Sequence, residues 1–196
     1  MIRSLLGNIV IGAFFLLFVL INVREFNATG DIGYALAALN EGIYVALFLV
    51  RERAVATSTS AFDWGVAFSA TFLGTLLRPA HPSNILLGTA IIAAGVAINI
   101  VSVLFLNRSI GVVPAERSIK TAGMYRLVRH PMYSSEIVSL FGYVLINISL
   151  ANMGLAIATT VLMLMRINRE ELFLSKNEKY KKYAAKTPWK LVPFVY

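Results

Sequence analysis

Long, nearly uninterrupted apolar windows set the pattern of this chain, with charges gathered between them rather than alternating within them. Ser4 to Val23 is almost wholly apolar and long enough to cross a hydrocarbon core of about 30 Å as a helix. A second window runs from Asp31 to Val50, interrupted by Asn40 and Glu41. A third, short one runs from Trp64 to Leu77, and a fourth, the most apolar, from Asn84 to Leu106. The last apolar stretch, Ser134 to Met165, is broken by Asn147, Ser149, Asn152 and Gly154. It reads as a helical hairpin with arms about 22 Å long at 1.5 Å per residue. Arms that short cross only with local thinning of the bilayer, or enter partway. Arg3 before the first window also suits the start of a signal peptide. The run is long, however, and no small-x-small cleavage site follows, so an uncleaved span is expected.

The expected fold is therefore all-α: a multi-span bundle of about five to six membrane helices, the last two a short hairpin. Residues 1–106 form an anchor of about four helices. Residues 107–196 form a catalytic part made of a cytoplasmic loop, the hairpin and a C-terminal interfacial helix. Composition agrees. The chain is 58% hydrophobic and 14% charged, where a soluble domain of this size carries about 25% charged residues. Mean hydropathy is +0.72.

Cysteine is absent, which removes disulfides, thiolate metal sites and cysteine nucleophiles. Two histidines, His81 and His130, are too few for a His-rich metal site, and no metal is expected. His81, beside Pro79 and Pro82, reads as a turn residue. The net charge of +8 has a membrane explanation before a nucleic-acid one. Thirteen of the eighteen Lys and Arg flank the last hairpin: five from Arg108 to Arg129 and eight from Arg166 to Lys190. The positive-inside rule makes that side cytoplasmic. Counting back places both termini and the Arg51/Arg53 loop in the cytoplasm, and the loops near Arg24 and Arg78 outside. The location is a multi-pass position in a prokaryotic cell membrane or the endoplasmic reticulum.

Charges beside a membrane segment are costly to desolvate, so a cluster of them points to a polar ligand. Arg129-His130-Pro131-Met132-Tyr133 stands before the hairpin, and Arg166 with Arg169-Glu170-Glu171 follows it. Pro131 restricts His130 to extended backbone and suits the first position of a helix. The amides there would face an anion, helped by the helix dipole. Arg129 has the fork that grips a carboxylate. Arg166 and Glu170 are four residues apart, hence on one helical face, while Arg169 suits a snorkelling helix end. Within the second window, Glu41 with Asn40 is a candidate for function because intramembrane carboxylates usually have one, the other readings being an interhelical hydrogen bond or a helix-end position. Glu136 either lines a pocket or caps a helix. The basic, aromatic tail from Lys179 to Phe194 reads as an interfacial helix that also serves as a lid.

This arrangement resembles the integral-membrane methyltransferases of the isoprenylcysteine carboxyl methyltransferase and phospholipid methyltransferase superfamily. The shared pattern is Arg-His-Pro-x-Tyr-x-Gly, a spacer, an Arg a few residues before a Glu-Glu pair, then Tyr-x-x-Tyr, Thr-Pro and Pro-Phe. It covers about the last third of the chain, and Ser135 stands in the Gly place. The resemblance implies a methyltransferase using S-adenosyl-L-methionine. Arg129, His130 and Pro131 would serve its carboxylate, Glu170 or Glu171 its ammonium or ribose hydroxyls, and Tyr125 and Tyr133 its adenine. Arg166 and Glu171 would be catalytic: Arg166 orienting a carboxylate acceptor, or a glutamate taking the proton of an amine acceptor. The acceptor would be a lipophilic or prenylated small molecule or protein entering from the bilayer, with membrane lipids as further partners and no nucleic acid. No glycine-rich loop follows a strand, so the soluble dinucleotide-binding fold is not expected.

Two rivals stand beside this reading. An NADPH-dependent sterol- or steroid-type membrane reductase shares an Arg-His-Pro-x-Tyr segment but needs more spans than this chain has room for. A non-enzymatic membrane scaffold with a lipid-binding tail would leave the Arg166/Glu171 cluster dispensable.

Overall fold

The computed structural model describes residues 2–30, 32–78 and 85–196, with side chains from residue 7 onward. The turn assigned to His81 lies outside the described residues, as does Asp31. Among the described residues, seven α-helices carry the fold. They are α1 (Ile2–Thr29), α2 (Ile32–Val50), α3 (Ala61–Phe72, continued by a 3₁₀ turn at Leu73–Leu76), α4 (Ile85–Leu106), α5 (Pro131–Ile146), α6 (Leu150–Leu174) and α7 (Glu178–Lys186). Four of them, α1, α2, α4 and α6, are long and apolar enough to cross a membrane, and α5 is a shorter apolar helix. The all-α, multi-span expectation holds.

Helix ends follow local chemistry. Ser149 Oγ accepts from the Asn152 amide at the start of α6, and Asn177 Oδ1 accepts from the Lys179 and Tyr180 amides at the start of α7. Pro131 opens α5 at its first turn, with His130 as the cap residue. The hairpin arms are unequal, against the expectation of two arms near 22 Å. The 16 residues of α5 make about 24 Å, and the 25 residues of α6 about 37 Å. The reason is that Arg166 to Leu174 are good helix formers, so α6 runs on beyond the apolar window until Asn177 caps the next helix. Asn152 is the hairpin's latch: its Nδ2 donates to Arg78 O and Asn147 O (both 2.8 Å), and its Oδ1 accepts from the Arg78 amide.

At the opposite end, the connections after α2 and α4 meet. Two-residue strands β1 (Ala56–Thr57) and β2 (Ala115–Glu116) pair antiparallel, which period-based reading did not foresee. Glu52 clasps the same loops. Its Oε1 accepts from Ser109 Oγ at 2.7 Å, the Ser118 amide at 2.7 Å and Ser118 Oγ at 2.6 Å. These two loops therefore share one side of the bundle.

Packing pairs α1 with α2, α3 with α6, and α4 most extensively with α5. The α4–α5 crossing depends on glycine. A Cβ at Gly142 would lie 2.8 Å from Gly88 O and 3.0 Å from the Ile92 amide. Ser135, in the family's Gly place, fits because its Oγ donates inward, 2.6 Å to Met132 O and 3.2 Å to Asn99 Oδ1. Asn99 also accepts from Tyr44 Oη at 3.1 Å and donates to Asn40 Oδ1, so one asparagine ties α2, α4 and α5.

Gly142→Val forces α4 and α5 apart. We expect a loss of about 1–3 kcal/mol, read as a lower melting temperature in detergent. Gly65→Ala, with nothing within 4 Å of its added Cβ, should be neutral or stabilising. The Glu52 clasp is acid-sensitive. Burial raises its carboxyl, but the hydrogen bonds of Ser118 and Ser109 outweigh that and hold it near a pKa of about 2, below the ordinary 4.5. A depressed carboxyl stabilises above its unfolded value, so this contribution is full above about pH 4.5 and is lost as pH falls toward 2. Melting temperature followed across that range should fall less steeply for Glu52→Gln than for the parent.

Candidate active site

The charged residues that flank the hairpin in sequence come together at the end of the bundle that carries β1 and β2. Glu171, on α6, is their centre. Its Oε1 accepts from Arg129 Nε, His130 Nε2 and Tyr180 Oη, each at 2.7 Å. Arg129 Nη1 also donates to Thr187 O and Pro188 O at 2.8 Å. The Arg129 and His130 amides donate to Trp189 O and Lys190 O at 2.9 Å. The Arg129 fork thus grips a carboxylate of the protein itself. Burial alone would lower this guanidinium, but the hydrogen bond and charge of Glu171 hold it above its usual value.

Glu170 points elsewhere. One residue along a helix turns the side chain by about 100°, and Glu170 borders a cavity of about 640 Å³ that Glu171 does not line. Tyr133 Oη donates to Glu170 Oε2 at 2.8 Å, and the Tyr133 ring stacks on His130 with centroids 5.5 Å apart. Arg166, four residues before Glu170, faces the same cavity. It is 6% exposed. Its Nη1 donates to Thr71 Oγ1 at 2.9 Å and its Nη2 to Val112 O at 2.6 Å, and its guanidinium lies 4.8 Å above the Tyr133 ring. Its buried Nε has no hydrogen-bond partner among the described residues.

At the loop end the cavity is bordered by Tyr125, Tyr180 and Tyr183. Tyr183 Oη donates to Tyr125 O at 2.8 Å. Burial raises all three phenols above their ordinary values, with Tyr183 and Glu170 acting next on Tyr125, so they remain neutral donors. Gly123, at φ +58°, presents Tyr125; a Cβ there would strike the Phe105 ring. From this end the cavity follows α2 from Phe48 through Tyr44, Glu41 and Ala37 to Gly33, about 22 Å along a helix axis. Glu136 on α5 lines it too. Polar groups line it along its length, from Ser109 and Lys120 by the loops to Asn40, Glu41 and Tyr143 farther on, among apolar residues such as Phe15, Phe18 and Ile92.

Of the residues singled out in sequence, Tyr125, Arg129, His130, Tyr133, Arg166 and Glu170 all border this one cavity. Glu171 stands behind them and Pro131 is buried beneath them in the first turn of α5. Arg169 is more than a snorkelling end: its Nε pairs with Asp63 Oδ1 at 2.5 Å, fastening α6 to α3. Thr71, Asn99, Arg117 and Lys120 were not foreseen. Asn99 had a visible signal, as an asparagine inside the most apolar span; the other three lack one.

A family model described as phospholipid methyltransferase matches residues 83–182, just over half of the chain, from the start of α4 into α7. No curated protein matches.

Glu171→Ala leaves Arg129 and His130 partly buried without their anion. We expect about 3 kcal/mol of lost stability and faster tryptic cleavage in the segment after Leu174, measured by limited proteolysis in detergent.

Proposed function

The chain belongs to the phospholipid methyltransferase family, and from that premise we propose that it transfers a methyl group from S-adenosyl-L-methionine to an amphiphilic acceptor that enters from the bilayer. The observation that carries this is the single cavity that joins the tyrosine-lined, motif-bearing loop end to a channel along α2 within the membrane helices.

The residues at the mouth fit the methyl donor. Glu170 keeps one carboxylate oxygen free of hydrogen bonds among the described residues, suited to an ammonium or to ribose hydroxyls. Tyr125 offers a ring for an adenine, whereas the Tyr133 ring is already engaged by His130 and Arg166. His130, Arg129 and Glu171 hold the wall behind these groups rigid. When bound, the donor supplies an electrophilic methyl on a sulfonium, which needs a correctly aimed nucleophile and little else.

The protein's contribution is placement. Arg166 is fixed from two sides by Thr71 and the Val112 carbonyl, so its one unpartnered nitrogen is held in place rather than mobile. It would orient a lone pair of the acceptor. Glu136 and Glu41 border the cavity beyond Arg166 and would meet the acceptor's polar head. Tyr133, stacked beneath the Arg166 guanidinium, keeps water from that face. Positioning of this kind supplies several kcal/mol of rate enhancement without a covalent intermediate. The mouth lies on the side whose loops carry most of the chain's Lys and Arg, which supports cytoplasmic entry for the donor and cytoplasmic termini.

S-adenosylhomocysteine should raise the melting temperature of the purified protein in detergent, and NADPH should not; the reverse pair of results would assign the chain to a membrane reductase. Arg166→Lys keeps the charge but loses the fork. With a confirmed acceptor it should lower turnover by about tenfold or more while S-adenosylhomocysteine affinity changes by less than about twofold. Full turnover in that variant removes Arg166 from its role.

A further inference from the structure

Arg129, the arginine that its motif assigns to an incoming carboxylate, spends Nε and Nη1 on Glu171 and on two backbone carbonyls. Another arginine borders the cavity with its fork unspent. Arg117, just after β2, makes one hydrogen bond, from Nε to Glu52 O at 3.4 Å, and no ion pair among the described residues. Its guanidinium lies against bare backbone: a Cβ on Gly111 would sit 2.5 Å from Nη1. Lys120, three residues on, lines the same cavity.

The surroundings of Arg117 call for an anion. Arg51 is its like-charged neighbour, and neither is in an ion pair among the described residues. Burial and then Arg117 push the Arg51 guanidinium down to about 10. Arg117 itself is lowered by burial, against the opposing pull of Glu170 and Glu52. Glu170 feels Arg117 across the cavity yet makes no ion pair with it. Two opposite charges, each with free hydrogen-bonding atoms and held apart in one cavity, complement a zwitterion.

We propose that Arg117, assisted by Lys120, binds the carboxylate of the methyl donor's amino-acid end while Glu170 takes its ammonium. The inference rests on the methyltransferase reading above. A bidentate guanidinium–carboxylate contact gives both strength and aim. It fixes the donor's amino-acid end at the loop side and directs the sulfonium toward Arg166 and the channel along α2.

The test compares two ligands that share the nucleoside and thioether. S-adenosylhomocysteine carries the amino-acid end, and 5′-methylthioadenosine lacks it. Calorimetry in phosphatidylcholine nanodiscs should give the parent at least roughly a tenfold preference for the former. Arg117→Gln should erase most of that preference by weakening S-adenosylhomocysteine alone, and Arg117→Lys should restore part of it. An Arg117→Gln protein that binds S-adenosylhomocysteine like the parent, or that loses both ligands equally, overturns the proposal. A second pair of nanodiscs, with and without phosphatidylglycerol, separates a lipid phosphate from the donor carboxylate. If Arg117→Gln loses only the stabilisation by phosphatidylglycerol, Arg117 serves the lipid and the proposal fails. One arm alters the ligand rather than the protein, so it holds even where Arg117→Gln misfolds: a parent that binds both ligands equally has no carboxylate site, and the proposal falls. A parent that binds neither ligand overturns the methyltransferase reading itself.

Discussion

The Glu171 carboxylate is the constraint on which the functional end depends. A charge at the edge of a membrane is tolerated only when it is paired and hydrogen-bonded. One oxygen of Glu171 collects an arginine, a histidine and a tyrosine from two other parts of the chain. Those three bonds fix the residues before α5, the last turns of α6 and the start of α7 in one arrangement. Arg129 and His130 then hold the tail through carbonyls from Thr187 to Lys190. Remove the carboxylate and three segments lose their shared anchor.

From that anchor the division of labour between neighbouring glutamates follows. Consecutive helical residues point in different directions, so Glu171 faces inward to the loop and tail while Glu170 faces the cavity. Arg166 sits one turn earlier on the Glu170 face and is held by α3 and by the loop after α4. The first half of the chain is thus more than an anchor. Thr71, Asn99, Tyr44 and Glu41 help wall the cavity whose opposite side carries the motif residues.

The polar interior of the bundle obeys the same rule as its end. Asn99 would be expensive in the most apolar helix were it not bonded to Asn40, Tyr44 and Ser135. The serine that replaces the family glycine at 135 is absorbed by this network, while the close approach of α4 and α5 depends on Gly88, Gly95 and Gly142.

Much of this was legible in sequence because it is local. Spans follow from runs of apolar residues, the start of α5 from Pro131, and the gathering of Arg129, His130, Tyr133, Arg166 and Glu170 from their places at the two ends of one hairpin. The sequence by itself determined an all-α membrane bundle and which end of it carries the charge. Only the tertiary structure decided which charged group faces a partner in the protein and which faces the cavity. Arg129 and Arg117 look equally available as residues in a loop. One is engaged by Glu171, 42 positions away, and by two carbonyls of the tail, and the other lies on bare glycine backbone with its fork free. Pairing across such separations depends on helix rotation and on distances of a few ångströms, which hydropathy and spacing along a chain do not encode.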